Sequence, residues 1–493
     1  MEFGNVDEFL KNRTILVTGA TGYLAKIFVE KILRVQPNVK KLYLLLRAKD
    51  ANSAMDRLNN EVVGKDIFKV VREKYGASLL SFISEKLTPI PGDISYEDLG
   101  IKDSYLRDKM LKEIDLVINF AATINFDERY DVALSINTLG ALHVLNFAKK
   151  CPKIKMLVHV STAYVCGEDT GLVLEKPFSM GKAKKGSVKL DIKEEMKLVQ
   201  EKLDQLKSEN ASEKEITEIL KDFGIERARL FGWPNTYVFT KAMGEMNLVH
   251  YKHNLPLVII RPTMITSTRK QPFPGWIEGL RTIDSVIVGY GKGKLTCFVS
   301  NPRSFLDVIP ADMVVNGILV AMANREKQKS SEIIYQLGSS ARNPFKFSSI
   351  HDFSFRYFSA NPCINKNGDP VKITKGIVLS SMASFRLFMA IRFQLPLKAL
   401  QLANTLMLKK YEDTYTVLTH KLNLVMKLVD LYKPYLFFEG IFDDTNSEKL
   451  RIASTPQTSV EEEDEFDFDP TKIDWEDYMM NVHIPGLVKY VIK

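Results

Sequence analysis

Tyr237 and Lys241 stand four positions apart in Tyr237-Val238-Phe239-Thr240-Lys241, and on a helix that spacing brings a phenol and an amine onto one face, a few ångströms apart. A neighbouring ammonium favours the ionised phenol and draws a group with an ordinary pKa of ~10 toward the range a proton shuttle needs. The spacing recurs by accident in long chains, so its weight comes from its companions. One of these is Val158-His159-Val160-Ser161-Thr162-Ala163-Tyr164, a strand-like run that ends in hydroxyls. In an open α/β sheet that carboxyl edge is where ligands bind. Thr162 first and Ser161 second are the hydroxyls suited to hold a carbonyl oxygen as negative charge builds on it. The plainer reading has both satisfying backbone groups where the strand stops. His159 alternates to the face opposite Val158 and Val160 and reads as structural.

A second constellation suits a dinucleotide. Thr18-Gly19-Ala20-Thr21-Gly22-Tyr23-Leu24-Ala25 follows a strand and opens a helix through Phe28, Val29, Ile32 and Leu33. Gly19 permits the tight turn, Gly22 lets backbone approach a pyrophosphate, and Ala25 allows close packing of helix on sheet. The helix start supplies free N–H groups and partial positive charge. Thr18, Gly19, Thr21, Gly22, Tyr23 and Leu24 are therefore candidate cofactor contacts. The second strand ends in Arg47, where an NAD-preferring site would carry an acid for the ribose hydroxyl. A guanidinium fork fits a 2′-phosphate instead, so the expected cofactor is NADPH; the alternative is an ordinary surface arginine. Asp93 and Ile94 fall where an adenine would lie, although Asp93 serves equally well as a helix N-cap. Asn119, Ala121 and Ala122 end the fourth strand beside the nicotinamide half, with Asn119 alternatively a buried amide tying strands together. Pro262 and Thr263 can wall the nicotinamide after the sixth.

These residues need a particular frame. Strand-like runs at Thr14–Val17, Leu42–Leu46, Leu87–Ile90, Leu116–Phe120, Met156–Val160 and Leu257–Ile260 alternate with helical patterns. They predict a doubly wound α/β fold, a parallel Rossmann sheet covered on both faces. The link from Ala48 to Lys86 is long and helical, and about 168–229 a charged segment reads as an inserted helical hairpin. Beyond about Pro370 the sheet pattern stops and amphipathic helices begin. The expected division is 1–370 for the cofactor-binding domain and 371–493 for a smaller helical C-terminal domain. At 493 residues the chain exceeds the size at which one core usually stops growing.

The net charge is +8, and about +15 without the acidic run Glu461 to Asp469, which reads as a solvated linker. A basic body suits phosphorylated ligands or an anionic membrane surface, while nucleic-acid-binding signatures are missing. Cys151, Cys166, Cys297 and Cys363 lack metal-ligand spacing, so no metal is expected, and with no leader pattern the protein reads as reduced and intracellular. Gly376 to Leu397 is interrupted by Arg386 and Arg392, which argues against a spanning helix and for a surface-lying or core one. The late apolar stripe including Phe385, Leu387, Phe388, Met389, Ile391, Phe393, Leu402 and Leu406 is by its pattern more commonly core than a groove. Lys292 and Lys294 could meet phosphates, or could sit on a solvated hairpin.

Taken jointly, Gly19-Ala20-Thr21-Gly22, Asn119, Thr162, Tyr237, Lys241 and Pro262 resemble the extended or atypical short-chain dehydrogenases/reductases, departing only in the 75 positions between Thr162 and Tyr237, which the charged insertion accounts for. Gly232 to Lys241, Pro272-Phe273-Pro274-Gly275-Trp276, Asp307 to Asp312, Lys433 to Phe438, Gly440 to Asp444 and Ile473 to Tyr478 sharpen this, over essentially the whole chain, to a resemblance to the plant-type alcohol-forming fatty acyl-CoA reductases. The resemblance implies NADPH-dependent reduction of a fatty acyl-CoA to a primary alcohol through an aldehyde, with CoA released. Tyr237 would protonate the alkoxide, Lys241 would tune Tyr237 and contact the nicotinamide ribose, and Thr162 would hold the oxygen. It also implies peripheral attachment to the cytosolic face of the endoplasmic reticulum, or a cytoplasmic location. A reductase that stops at the aldehyde, a sugar-nucleotide epimerase and a cofactor-sensing regulator are the competing readings.

Overall fold

The computed structural model describes residues 5–185, 189–301, 304–325, 332–406, 411–454 and 465–492. Strands β1 (Thr14–Thr18), β2 (Lys41–Leu46), β3 (Leu87–Pro91), β4 (Leu116–Asn119), β5 (Met156–Val160), β6 (Leu257–Pro262) and β7 (Glu332–Leu337) form one sheet. It is parallel throughout and ordered β3-β2-β1-β4-β5-β6-β7. Successive side chains face opposite ways: Ile15 and Val17 enter the core on one side and Leu16 that on the other. Near-continuous apolar strands follow from burial on both faces. The strand order reverses between β1 and β4, and the crevice at their carboxyl ends is the ligand position of this architecture. The six expected strands form, with β4 ending at Asn119 rather than Phe120. The seventh, β7, went unread because its apolar run, Ile333-Ile334-Tyr335, is too short to separate from a helix or loop by pattern.

Helix α1 (Tyr23–Val35) follows the glycine turn and is buried along almost its whole length. The Ala48–Lys86 link is helical, and Val62, Ile67, Phe68 and Val71 join the core beneath it. The charged insertion contains the antiparallel helices α2 (Ile192–Ser208) and α3 (Glu213–Leu230), capped by Asp191 and by a Ser212–Glu215 capping box. Leu206, Ile216 and Leu220 close a small apolar core between them. Helix α4 (Thr236–Tyr251) then runs beneath the sheet edge.

The region after residue 370 is helical, as expected: α5 (Met382–Met389), α6 (Leu395–Leu406) and α7 (Glu412–Leu436), the first two joined by a π-helical turn. Strand pairing nevertheless continues beyond Pro370, contrary to expectation. Ile377–Leu379 pairs in parallel with Cys297–Val299, and Gly440–Phe442 with Gly171–Val173. Three-residue strands carry too little periodicity to be legible.

Two further expectations fail. Of the acidic run, Glu461 to Asp464 lie outside the described residues, but Glu465 to Asp469 are no solvated linker. The Glu465 carboxylate lies 2.7 Å from Lys31 Nζ and 2.8 Å from Arg34 Nη1, Lys31 sits over the Phe466 ring, and Phe468 is buried. Glu465 is compensated by cations of α1, distant in sequence, and Asp467 by Lys472. The apolar stripe of α5 and α6 is not core either. Phe385 and Met389 are buried against α7, whereas Leu387 (62%), Ile391 (59%), Leu402 (63%) and Leu406 (76%) are exposed.

Candidate active site

Helix α4 buries every residue from Thr236 to Leu248 except Tyr237, which is half-buried. Asn235 caps its start by accepting from Val238 N at 3.1 Å. The polar residues of this helix are held by specific partners. Thr240 Oγ1 donates to Thr236 O and accepts from Asn137 Nδ2, Glu245 pairs with Arg261, and Asn247 Nδ2 donates to Thr138 O. Glycine at 244 is required by packing, because a Cβ there would lie 2.3 Å from Asn137 O.

Lys241 is almost wholly buried, and its Nζ donates to Val160 O at 2.8 Å, at the end of β5. The same nitrogen lies 3.2 Å from His159 Nε2. Burial pushes Lys241 down to about 8, with Glu245 one turn on acting the other way. The phenol of Tyr237 is pushed up to about 12 by burial, partly offset by a hydrogen bond with the Thr162 hydroxyl. The expected lowering of Tyr237 by Lys241 is therefore not seen: desolvation dominates, and the ammonium faces β5. Thr162 Oγ1 also accepts from Tyr164 N at 3.3 Å, so the functional and the plain reading hold together. Ser161 Oγ is buried without a hydrogen-bond partner among the described residues.

His159 links two groups the sequence reading kept apart. Its Nδ1 lies 3.0 Å from the Asn119 side-chain nitrogen, and the Asn119 oxygen lies 2.6 Å from Thr18 Oγ1. A chain Thr18–Asn119–His159–Lys241 thus runs from the glycine turn to the buried amine. Burial and Lys241 hold His159 neutral, well below the usual histidine range. A neutral imidazole donates from one nitrogen only. When Nδ1 accepts from the Asn119 amide, Nε2–H faces the lone pair of an uncharged Lys241; when Lys241 is an ammonium, Nε2 accepts and the amide turns end for end. The two proton arrangements differ by the charge on Lys241. Strand alternation alone had marked His159 as structural, because the partner came from a helix 82 positions away.

At the other end, Gly19 has φ +66°, and a Cβ there would fall 2.7 Å from Ala121. Gly22 begins α1 with no side-chain cap, which leaves the first N–H groups of α1 for a ligand. Thr18 Oγ1 also accepts from Ala121 N at 3.3 Å. Ala122 lies next along this loop, and Thr21 in the turn itself. The Tyr23 side chain points away from the turn. It stacks on Trp276, donates to Thr266 O and Trp276 O, and lies under Arg281; Leu24 is buried as well. Arg47 is exposed at the end of β2. Asp93 caps no helix but closes a turn by accepting from Ser95 N, and Ile94 packs against Gly140. Pro262 ends β6, and Thr263 N donates to Leu337 O across the sheet edge. Lys292 and Lys294 are exposed in a loop.

An aromatic enclosure that the sequence did not reveal covers Tyr237. Phe126 stacks on it with ring centroids 5.9 Å apart, and Tyr435 stacks on Phe126 at 4.9 Å. Tyr435 is held by Asn235 Nδ2, which donates to its hydroxyl at 2.8 Å, and meets Tyr164 edge-on. The end of α7 therefore closes over the start of α4.

Two family profiles, each described as male sterility protein, match the chain, an NAD-binding one over residues 17–318 and a second over 392–493. The chain is 56% identical over 492 residues to the alcohol-forming fatty acyl-CoA reductase of Simmondsia chinensis, covering 100% of this chain and 99% of that relative. It is 55% identical over 490 residues to fatty acyl-CoA reductase 1 of Arabidopsis thaliana, covering 99% of each. The chain belongs to the alcohol-forming fatty acyl-CoA reductase family. Among solved structures, the terminal R domain of the myxalamid PKS-NRPS pathway superposes with a TM-score of 0.55 at 18% identity, covering 97% of this chain and 91% of that one. That likeness establishes a shared fold. As a member of the family, the chain takes a nicotinamide cofactor, and the uncapped helix start and the Gly19 cradle fit one.

Proposed function

We propose that this member of the family reduces long-chain fatty acyl-CoA to a primary alcohol in two successive hydride steps at one site, using NADPH. The observation that carries the reading is the meeting of the Tyr237 phenol, the Thr162 hydroxyl and buried Lys241 at the carboxyl edge of the sheet, beneath an apolar aromatic cover. Bound with its pyrophosphate at the glycine turn, the cofactor would supply hydride. Thr162 holds the carbonyl oxygen, and Tyr237, a phenol throughout the neutral range, gives it a proton as the C–O double bond is lost. The hemithioacetal returns that proton to the Tyr237 phenolate as its C–O double bond re-forms and its C–S bond breaks; CoA leaves as the thiolate, and the same residues handle the remaining aldehyde in a second round. Phe126, Tyr164 and Tyr435 exclude water from the reacting carbon.

Thr18, Gly19, Thr21, Gly22, Asp93, Ile94, Asn119, Ala121, Ala122, Pro262 and Thr263 line the cofactor's path in this reading, with Tyr23 and Leu24 contributing backbone N–H groups rather than side chains. Arg47 pairs with a 2′-phosphate, which supports NADPH over NADH. The cofactor half extends to about residue 370, and the acyl half occupies about 371–493. Purified protein given NADPH and a series of acyl-CoAs should yield primary alcohols by gas chromatography. Aldehyde alone, or no NADPH consumption, would overturn the proposal.

The exposed stripe Leu387, Ile391, Leu395, Leu402 and Leu406, flanked by Arg386, Arg392 and Lys398, supports peripheral attachment to a membrane, consistent with the cytosolic face of the endoplasmic reticulum. Among the described residues no helix is long and apolar enough to cross a bilayer. Flotation with anionic liposomes should be lost in Ile391→Glu/Leu402→Glu; retention in that variant would reject the attachment.

A further inference from the structure

A cleft of about 470 Å³ opens between the insertion and the C-terminal helices, just outside the aromatic cover. Among the described residues, Lys185, Arg229, Arg386 and Lys433 line it against two carboxylates, Glu168 and Asp430. Lys185 and Glu168 approach to 3.8 Å, and Arg386 and Asp430 to 3.6 Å, both loose and solvent-exposed pairs of little worth. Among the described residues, Arg229 and Lys433 form no ion pair. The cleft thus presents more positive charge than it neutralises, in a volume suited to a nucleotide-sized group.

Its position decides what that group is. The floor includes Trp233 and Pro234, directly before Asn235, the cap of the helix that carries Tyr237. The opposite rim includes Pro434, directly before Tyr435, whose hydroxyl accepts from Asn235 Nδ2. One residue inward on each side, the charged cleft becomes the aromatic enclosure of the reacting phenol. A thioester has two arms at its carbonyl carbon. The apolar arm belongs in an apolar environment, whereas the pantetheine arm ends in a pyrophosphate and a 3′-phosphate that need guanidinium and ammonium partners. Lys292 and Lys294 do not line this cleft.

We infer that the cleft formed by Lys185, Arg229, Arg386 and Lys433 is the seat of the phosphorylated nucleotide end of the acyl-CoA thioester, so that the substrate enters with its CoA arm between the insertion and α7. The inference rests on the functional reading above, and the two can fail separately. Release of CoA after the first reduction would empty the cleft, and the aldehyde would be reduced without using it.

The test compares wild type with Arg229→Glu/Lys433→Glu on three substrates: palmitoyl-CoA, its 3′-dephospho form and hexadecanal. Both substituted side chains are exposed, and a thermal melt checks the fold. The variant should show a KM for palmitoyl-CoA raised by about tenfold or more, the loss expected for a charge-assisted contact. It should lose the preference of wild type for the 3′-phosphorylated thioester and keep its kcat/KM for hexadecanal within about twofold. An unchanged KM for palmitoyl-CoA overturns the inference, as does a parallel fall with hexadecanal. So does loss of binding to phosphatidylserine vesicles with CoA kinetics intact, which would make the cleft a membrane contact. Wild-type protein that consumes no NADPH with any of the three overturns the functional reading, and the cleft's ligand with it.

Discussion

Helix α4 and the α5–α6 pair invert each other. The first carries threonine, lysine, glutamate and asparagine yet is buried on nearly every side; the second carries leucines and isoleucines and leaves a line of them in the open. In α4 Thr240, Lys241, Glu245 and Asn247 are each matched by a partner from another element, which fixes the helix in one rotation about its axis. That rotation sets Tyr237 alone toward the crevice. In α5 and α6 the partners come from α7: Phe385 and Met389 are buried against it, Arg386 pairs with Asp430 and Asn404 donates to Glu412, while the opposite apolar stripe stays exposed among the described residues. Polar burial here fixes a helix in place, and apolar exposure leaves a face in water among the described residues.

The difference can be broken at several points, with the sharpest on α4. Tyr237→Phe removes the proton donor without changing shape, and alcohol formation should fall by about 10³-fold while NADPH binding, followed by fluorescence titration, persists. Turnover near that of wild type would remove Tyr237 from the mechanism. Glu245→Ala leaves the buried Arg261 without its carboxylate; unfolding by denaturant should show a loss of about 3–5 kcal/mol.

A subtler break uses pH. The Lys241 amine, held down to about 8, is protonated below that value and loses its charge as pH rises through it, while Tyr237, held up to about 12, stays a phenol. The rate should therefore fall above about pH 8, and the limb should move in His159→Leu, which removes the imidazole beside Nζ. A profile unmoved by that substitution would show that the histidine leaves the ammonium untouched. The smallest effect belongs to the other region. Ile391→Glu should change stability by less than about 0.5 kcal/mol, because the position is already in water. A large loss would mean that this stripe is covered after all.

Six of the seven sheet strands, the glycine turn, the inserted hairpin and the Tyr237–Lys241 pair were legible because each depends on residues close together in the chain. A repeat of two or four positions is enough to place them. Hidden from that reading were features made by distant partners. Tyr435 reaches Asn235 across 200 positions, Glu465 reaches Lys31 across 434, and His159 meets Lys241 only because β5 and α4 are brought together. The acidic run looked solvated because its compensating cations lie near the other end of the chain. The α5–α6 stripe looked like core because amphipathic spacing reports that a helix has an apolar face, not what that face meets.

The segment Phe466 to Leu487 gives the order in which this molecule can be completed. Phe468 and Tyr478 fill gaps in the core built around α1, the Tyr478 hydroxyl donates to Thr266 Oγ1, and Gly486 lies so close to Gly275 that a Cβ would come within 2.1 Å of its carbonyl oxygen. The nucleotide half, though specified early in the chain, cannot close until these late residues have left the ribosome. A nascent chain must therefore wait, its glycine-turn helix partly uncovered, for a plug that comes more than 400 positions later.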